Sequence, residues 1–230
     1  MYEMRYEKFV CLPSTQEYCK EKRKAGEDLL VVADFQTGGK GTKGRSFSSE
    51  RGGVYVSKLT FYKDLLAKDA FQIMAGAAVA VCETIRAFGG NPLIKWPNDV
   101  FVQDKKIAGI LIENVFEGNR ISSSIVGIGL NVCNRLPGEL LEIATTMALE
   151  GIIARVEEVR ERLIEELLKP CSMEKYLSYL GYMGREVDLL IGGERIPGTL
   201  LSVNSRGELT VEIEGKQRIL TSAEVSVRMR

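Results

Sequence analysis

The sequence contains no histidine among its 230 residues. This absence excludes the Ser-His-Asp and Cys-His catalytic constellations, zinc sites built on imidazole and the kinase H-R-D loop. The five cysteines are scattered and form no C-x-x-C pair, so they indicate neither a disulfide framework nor a metal knuckle. We therefore expect reduced thiols, as in an intracellular protein.

Long apolar segments and an excess of charge of one sign are also missing. The longest apolar run, Ile73 to Cys82, is half of the ~20 residues that a membrane span requires, and the first ten residues contain no apolar signal core. Lys+Arg and Asp+Glu both number 31, so the net charge is zero and nucleic acid is not the default partner. These absences predict a cytoplasmic protein without a membrane or DNA partner.

What is present is an ordinary globular composition, with 45% apolar and 27% charged residues. At roughly 150 residues per domain, the length allows one large domain and a small one. Hydrophobic periodicity and turn residues predict an α+β fold, with a large domain over 1–182 and a small β-barrel of five strands over 183–230. Helices are predicted at 15–25, 69–88, 156–168 and 173–180, and strands at 29–35, 54–62, 93–96, 100–103, 107–116 and 121–132.

A long loop rich in glycine and basic residues separates the first two predicted strands. Gly39, Gly41 and Gly44 match G-x-G-x-x-G, but a strand follows instead of the helix that a dinucleotide fingerprint must open. A Walker A loop fails for the same reason, and Arg45 stands where its lysine belongs. Two interpretations of this loop remain. Its glycine backbone and basic side chains could bind an anionic ligand, or it could be a solvated basic loop without a ligand.

Motifs elsewhere in the chain favour the first interpretation. Ser-Thr-Gln at 14–16, Gln-Thr at 36–37, Lys-Trp-Pro-Asn-Asp at 95–99, Lys-Ile-Ala-Gly-Ile-Leu-Ile-Glu at 106–113 and Gly-Ile-Gly-Leu-Asn at 127–131 occur in order. Together they resemble the catalytic domain of biotin–protein ligases, over about residues 7–135. The final segment, with Ser-Val-Arg at 226–228, resembles the SH3-like barrel that closes those enzymes.

The resemblance implies a class II synthetase-like mixed sheet and an ATP-dependent reaction in two steps. Biotin and ATP would form biotinyl-5′-adenylate, with Mg²⁺ on the phosphates, and biotin would then pass to one lysine of a biotin carboxyl carrier protein. The catalytic motifs begin at Ser14, so the chain resembles the short, non-repressor form without a DNA-binding domain. Homodimers are common in the family, although nothing in this sequence marks an interface.

Motif matching also implies roles for individual residues. For catalysis the resemblance points to Lys106, Arg45, Lys95 and Asp99, the last as a residue of a magnesium or hydrogen-bond network. The expected biotin-binding residues are Ser14, Thr15, Gln36, Gly39, Lys40, Lys106, Gly109, Leu111 and Gly127. The expected adenylate-binding residues are Lys40, Thr42, Arg45, Phe47, Asn98, Leu130, Asn131 and Arg228.

Several of these positions have structural alternatives. Trp96 is better read as a core side chain at a strand end, and Asn131 as a binding residue or a turn residue. Tyr55 and Ser57 face either the site or the core, and Glu113 either pairs with a loop cation or lines its strand.

The loop departs from the family pattern G-R-G-R-x-G-R. Thr42 stands in the place of an arginine that helps relatives to retain the adenylate. Unless Lys43 takes over the role of that arginine, we predict leakage of biotinyl-AMP. Two rival functions remain open, a lipoate or octanoyl ligase-type acyltransferase and a non-catalytic biotin-binding protein.

Overall fold

A computed structural model describes residues 4–222 and 225–228 of the chain. The four helices in this part are α1 (Thr15–Lys22), α2 (Phe71–Ala87), α3 (Val156–Leu167) and α4 (Met173–Tyr179). The strands are β1 (Arg5–Leu12), β2 (Leu29–Gln36), β3 (Gly53–Phe61), β4 (Leu93–Lys95), β5 (Asp99–Val102), β6 (Lys105–Glu117), β7 (Arg120–Asn131), β8 (Glu186–Ile191), β9 (Glu194–Val203), β10 (Leu209–Ile213), β11 (Lys216–Leu220) and β12 (Val225–Arg228).

The first seven strands form one mixed sheet in the order β1-β2-β3-β7-β6-β5-β4. Strands β1 and β2 run parallel, and the other neighbouring pairs run antiparallel. The predicted helices and inner strands are confirmed to within a few residues, but β1 was not predicted. It is an edge strand with most side chains exposed, so it lacks the apolar alternation that reveals a half-buried strand.

Helices cover the two faces of this sheet unequally. Helix α1 packs on one face, where Cys19 contacts a small apolar cluster that includes Leu29, Val31, Leu59 and Ile125. Helices α2, α3 and α4 cover the opposite face with a much larger core. The α1 face is therefore open beside the helix, and this open region holds the site described below.

Helix α2 is the central core helix that the apolar pattern predicts. The stretch Ala67–Ala87 is long and apolar enough to cross a membrane by length and composition alone. Half of its most apolar window is buried inside the protein, where it packs against the sheet and against α3 and α4. This packing is that of a core helix.

The C-terminal strands form a separate antiparallel sheet in the order β11-β10-β9-β8-β12. An α+β fold with a small terminal β unit is thus confirmed, but the sheet is open and not a closed barrel. Within the described residues, β11 and β12 are its outer strands and no pairing joins them. The side chains of β11 from Lys216 to Ile219 are exposed, as suits an edge strand. The predicted boundary at 182/183 stays a prediction.

The small sheet packs on the large one through Trp96 and a tight turn. The indole of Trp96 is 4% exposed, and its Nε1 donates to the Gly207 carbonyl at 3.0 Å. Gly207 has a φ of +77°, and a Cβ there would overlap with the ring of Phe71. The core interpretation of Trp96 is therefore confirmed, and this packing carries β12 to the edge of the site.

Candidate active site

A pocket on the α1 face of the large sheet collects most of the residues that the motifs single out. We call it the central pocket. Its lining residues are Ser14, Thr15, Gln16, Gln36, Lys40, Gly41, Thr42, Phe47, Ser57, Asn98, Lys106, Gly109, Ile110, Leu111, Gly127, Ile128 and Gly129. Seven segments distant in sequence thus meet, because the start of α1, the end of β2, the glycine loop, β3, the β4–β5 turn, β6 and β7 converge there.

The N-terminus of α1 supplies the polar wall of the central pocket. Ser14 is the N-cap, and its hydroxyl accepts a hydrogen bond from the Glu17 amide at 3.4 Å. The Thr15 amide and hydroxyl donate to Gln36 Oε1 at 2.8 and 3.1 Å, and Ser57 Oγ donates to Thr15 Oγ1 at 2.8 Å. These buried groups present hydroxyl and amide atoms in a fixed arrangement.

Glycines on two neighbouring strands form the floor of the central pocket. Gly109 of β6 lies opposite Gly129 of β7, and Leu111 lies opposite Gly127. A Cβ at Gly129 would overlap with the Phe47 ring, and one at Gly109 would lie 3.2 Å from both Phe47 and Lys106 Nζ. Only glycine lets the aromatic ring rest directly on the sheet here.

The Phe47 ring makes the central pocket narrow. Its volume is about 40 Å³, whereas pockets for small organic ligands occupy roughly 300–1,000 Å³. The central pocket in this structure is therefore smaller than a ligand of that size, and the Phe47 ring occupies its glycine floor.

The glycine loop folds back on itself as a small hairpin. Lys40 and Ser46 form an antiparallel bridge, the Gly41 amide donates to the Arg45 carbonyl at 2.7 Å, and the Phe47 amide donates to the Gly39 carbonyl at 2.9 Å. Gly39 is buried, and a Cβ there would overlap with the Phe47 carbonyl and with Ser49. Gly39 thus supports the loop from beneath and does not line the pocket.

Lys106 lies at the end of the central pocket. Its Nζ forms an ion pair with Asp99 Oδ1 at 2.6 Å, and about a third of each side chain is exposed. The backbone of Lys106 is held by hydrogen bonds to the segment after β7: its amide donates to Ile143, and its carbonyl accepts from Thr145. The backbone of Lys106 is therefore held in place, and its ammonium is paired with Asp99 and partly exposed.

A second cavity, the adjoining cleft, continues from the central pocket towards the C-terminal sheet. Its volume is about 250 Å³, and it shares Thr42, Asn98 and Leu111 with the central pocket. The other lining residues are Arg45, Met74, Lys95, Trp96, Pro97, Asp99, Ile112, Ser222, Val225 and Val227. Asn98 is held in place by donating to the Ile110 carbonyl at 2.9 Å, and Lys95 Nζ lies over the Phe101 ring.

Two predicted adenylate contacts have side chains elsewhere. Leu130 lies in the core, because alternation along β7 places Gly129 on the pocket face. The Asn131 side chain is 4% exposed; its Nδ2 donates to the Thr145 carbonyl and its Oδ1 accepts from Asn134. Asn131 therefore holds the segment after β7 in place, in agreement with its interpretation as a turn residue. The side chain of Arg228 falls outside the described residues.

The comparisons with known proteins agree with this geometry. Residues 9–131 match the model of the biotin/lipoate A/B protein ligase family. The chain belongs to this family. It is 38% identical over 187 residues to the bifunctional ligase/repressor BirA of Bacillus subtilis, covering 78% of this chain and 56% of that protein. The chain thus spans little more than half of that relative.

Two further members of the family are similar over most of their length. The biotin–[acetyl-CoA-carboxylase] ligase of Mycobacterium tuberculosis is 25% identical over 215 residues, covering 86% of this chain and 79% of that protein. The structure of the biotin protein ligase of Aquifex aeolicus in complex with biotin and ATP has a TM-score of 0.74 and 31% identity, covering 98% of this chain and 99% of that one.

In this member of the biotin/lipoate A/B protein ligase family, several residues of the central pocket have no role implied by the motifs. Gln16, Gly41 and Gly129 all line the central pocket, and each lies inside a motif already recognised. Ser57 faces the pocket, whereas Tyr55 is fully buried and donates to the Glu50 carbonyl. Alternation along β3 places Tyr55 and Ser57 on the same face of the sheet. Their roles differ because Ser57 lies beside α1, where it donates to Thr15, whereas Tyr55 lies farther along the strand.

An ion-pair network anchors the glycine loop to α1. Lys40 Nζ and Lys20 Nζ both bind Glu17 Oε1 at 2.8 Å, and Lys20 also binds Glu113 Oε2. Hydrogen bonds from Lys20 and Lys40 hold the pKa of Glu17 below its ordinary value. Glu113 thus pairs with a helix cation rather than with the loop itself.

Removing the Glu17 charge is expected to loosen the glycine loop. Glu17→Gln should raise the rate of tryptic cleavage after Lys40 or Arg45 by about 1.4- to 5-fold, the effect of losing an exposed ion pair. Glu21→Gln, an exposed neighbour on the same helix, is the matched control. Equal cleavage of the two variants would contradict the anchor.

The same anchor should depend on pH. A carboxyl with a lowered pKa contributes its stabilisation above its unfolded pKa, about 4.3, and loses it as the pH falls through the folded value. The Lys40 Nζ–Glu17 pair should therefore persist at neutral pH and break only in acid, as NMR of the lysine ammonium groups would show.

Proposed function

We propose that this chain is an ATP-dependent ligase that activates biotin as biotinyl-5′-AMP and transfers it to one lysine of a biotin carboxyl carrier protein. The observation that carries the proposal is the continuity of two cavities, with Lys106 and Asp99 where they meet. The polar lining of the central pocket suits the uncharged ring system of biotin, and the basic lining of the adjoining cleft suits a nucleotide. Lys106 then lies where a carboxylate and a phosphate must approach each other.

The polar wall of the central pocket suits a cyclic urea. Such a group has N–H donors and a carbonyl acceptor that must be paired when buried. Ser14, Thr15, Ser57 and Gln36 supply hydroxyl and amide atoms of both kinds on one side. An apolar chain that leads to Lys106 would lie over the glycine floor, in the place that the Phe47 ring occupies in this structure.

The first half-reaction needs charge neutralisation more than proton transfer. The biotin carboxylate attacks the α-phosphorus of ATP, a new C–O–P linkage forms, and pyrophosphate leaves with the electron pair of the broken P–O bond. Two anions repel each other during this approach, so preorganised positive charge lowers the barrier. Lys106 supplies a fixed ammonium, while Arg45 and Lys95 line the cleft.

The second half-reaction takes its nucleophile from the partner protein. A neutral lysine amine of the carrier attacks the acyl carbon of the mixed anhydride, the bond from this carbon to the phosphate oxygen breaks, AMP departs as a stable anion, and the nitrogen of the new amide releases one proton to water. No histidine is needed, because the leaving group is already good and positioning supplies much of the rate enhancement.

Magnesium fits this site only as part of the nucleotide. The described residues contain no group of three or more Cys, Asp or Glu that could hold a metal. Asp99 is the one carboxylate among the described residues that line the two cavities, and it is paired with Lys106. Mg²⁺ would therefore be held chiefly by phosphate oxygens, where it offsets their charge.

Thr42 is expected to weaken retention of the adenylate. It lines both cavities but carries no charge, so it cannot hold a phosphate by ion pairing. Thr42→Arg should add a charge-assisted contact worth about 1.5–3 kcal/mol and slow release of biotinyl-AMP by about 10- to 150-fold. Labelling of bystander lysines in a protein mixture should fall accordingly.

The control for this prediction is Thr42→Gln, a similarly long side chain without charge. If the unmodified chain labels no bystander protein, or if the glutamine variant behaves as the arginine variant does, the leakage hypothesis is wrong.

The experiment that tests the proposed activity is ATP–pyrophosphate exchange in the presence of each candidate acid. We expect exchange that depends on biotin and is not supported by lipoate or octanoate. Exchange supported by lipoate instead would assign the chain to the other branch of its family. Tight binding of biotin without exchange would indicate a non-catalytic binding protein.

The proposal also includes three properties that are inferred from the sequence. They are a cytoplasmic location, no DNA partner and a homodimeric state. Sedimentation of the full chain with and without biotin would determine its oligomeric state.

A further inference from the structure

A third cavity lies directly behind the central pocket, on the opposite face of the same sheet. We call it the rear cavity. It is lined by Lys58, Thr60, Tyr62, Leu65, Gln72, Ile73, Gly76, Ala77, Val126, Leu167, Lys169, Pro170 and Cys171. Ser57 pairs with Gly127 in the central pocket, and the next pair along, Lys58 with Val126, faces the rear cavity.

The rear cavity is large enough for a small organic molecule. Its volume is about 330 Å³, within the roughly 300–1,000 Å³ that ligand pockets occupy. Leu65, Ile73, Ala77, Val126 and Leu167 give it a mainly apolar wall between the sheet, α2 and the end of α3.

The charged groups that face this cavity are cationic. Lys58 and Lys169 are the two ionisable lysines of its lining, and none of the described lining residues is an Asp or Glu. Lys169 lies at the rim, where its Nζ is paired with Glu166 at 2.8 Å. Lys58 lies inside and has no carboxylate within ion-pair distance among the described residues.

The Lys58 ammonium has spare hydrogen-bonding capacity. It can donate three hydrogen bonds, and one of them goes to the carbonyl of Leu167 at 3.3 Å. Burial lowers the pKa of Lys58, partly opposed by the charge of Asp28. A charged group in an apolar cavity is costly unless it is paired, so an anion is the natural complement.

We propose that the rear cavity binds a small carboxylate with an apolar body, its carboxylate on Lys58 and its chain against the α2 side. This site is separate from the one proposed for biotin and does not depend on that activity.

Protection of Cys171 gives a readout confined to the rear cavity. Cys171 lines the cavity and is partly exposed, whereas Cys133 is exposed elsewhere. The full chain, with and without added biotin, is treated with N-ethylmaleimide in the presence of octanoate, 1-octanol or acetate. Peptide mass spectrometry then measures alkylation of each cysteine.

We expect octanoate to slow alkylation of Cys171 but not of Cys133. Octanol, which lacks the charge, and acetate, which lacks the apolar body, should each need at least about 10-fold higher concentration for the same protection. Lys58→Met should remove the preference for octanoate over octanol, whereas Lys63→Met, at an exposed lysine, should not.

A second variant, Gly76→Leu, tests the same site if Lys58→Met does not fold. Gly76→Leu retains Lys58 and should fill the cavity from α2, where a Cβ meets only an ordinary contact with Cys171. It should abolish protection by octanoate. Equal protection by octanoate and octanol, or unchanged protection in the Gly76→Leu variant, would overturn the proposal.

Discussion

Lys106→Ala is expected to slow biotin-dependent adenylate formation by about 10- to 150-fold. The side chain would lose a charge-assisted contact to the carboxylate and α-phosphate, worth about 1.5–3 kcal/mol. The effect should appear in kcat for pyrophosphate exchange, because the repulsion that Lys106 offsets is greatest as the two anions meet. Its ion pair with Asp99 shows that the ammonium is already directed towards an acidic group.

The neighbouring lysine provides the matched control for this prediction. Lys105 Nζ donates to the Leu141 carbonyl at 2.7 Å and does not line the central pocket. Lys105→Ala should leave exchange within about twofold, as exposed substitutions commonly do. An unchanged rate in Lys106→Ala, or equal losses in both variants, would refute the role assigned to Lys106.

Gly127→Val is expected to weaken biotin binding by about 5- to 150-fold, from an overpacking cost of about 1–3 kcal/mol. A Cβ at this position would overlap with Gln16 Oε1 and lie 3.4 Å from Ser57 Oγ, so the new side chain enters the polar end of the central pocket. Valine is well suited to a strand, and the conflicting atom is the end of a flexible side chain. Isothermal titration calorimetry would measure the change.

Gly138→Val is the control, because Gly138 is exposed and has no atom within 4 Å of a built Cβ. It should bind biotin as the parent does. Circular dichroism and thermal unfolding would show that both variants are folded. Undiminished biotin affinity in Gly127→Val would place the binding site elsewhere.

Local patterns carried enough information to predict most of the fold. The buried strands and α2 have strong apolar periodicity, and Ser14 is a capping residue whose role the structure confirms. Strand β1 and the open edges of the C-terminal sheet were not predictable in the same way. Edge strands owe their existence to a neighbouring strand and carry little hydrophobic signal of their own.

The candidate site was predictable where a motif residue directs its side chain into the pocket. It was less predictable where alternation along a strand directs the side chain of a motif residue to the other face of the sheet. Ser14, Thr15, Gln36, Lys106 and Gly109 meet in the central pocket as the motifs indicate. Leu130 and Asn131 lie in an equally clear motif, yet their side chains point into the core or hold the chain after β7. A motif shows that a segment lies at the site, but the phase of the strand decides which atoms face it.

The packing of Phe47 on the glycine floor was beyond reach of the sequence. It depends on Gly109 and Gly129 lying opposite each other on two strands, a register that only the folded sheet defines. The same register places Lys58 and Val126 together in the rear cavity.

The proposed activity can be tested by intact-mass and peptide mass spectrometry of a biotin carboxyl carrier domain incubated with this chain, biotin and ATP. We predict addition of one biotinyl group at one lysine, dependent on ATP, with the rate reduced in Lys106→Ala. A carrier that stays unmodified while a lipoyl or octanoyl acceptor domain is acylated under matched conditions would contradict it.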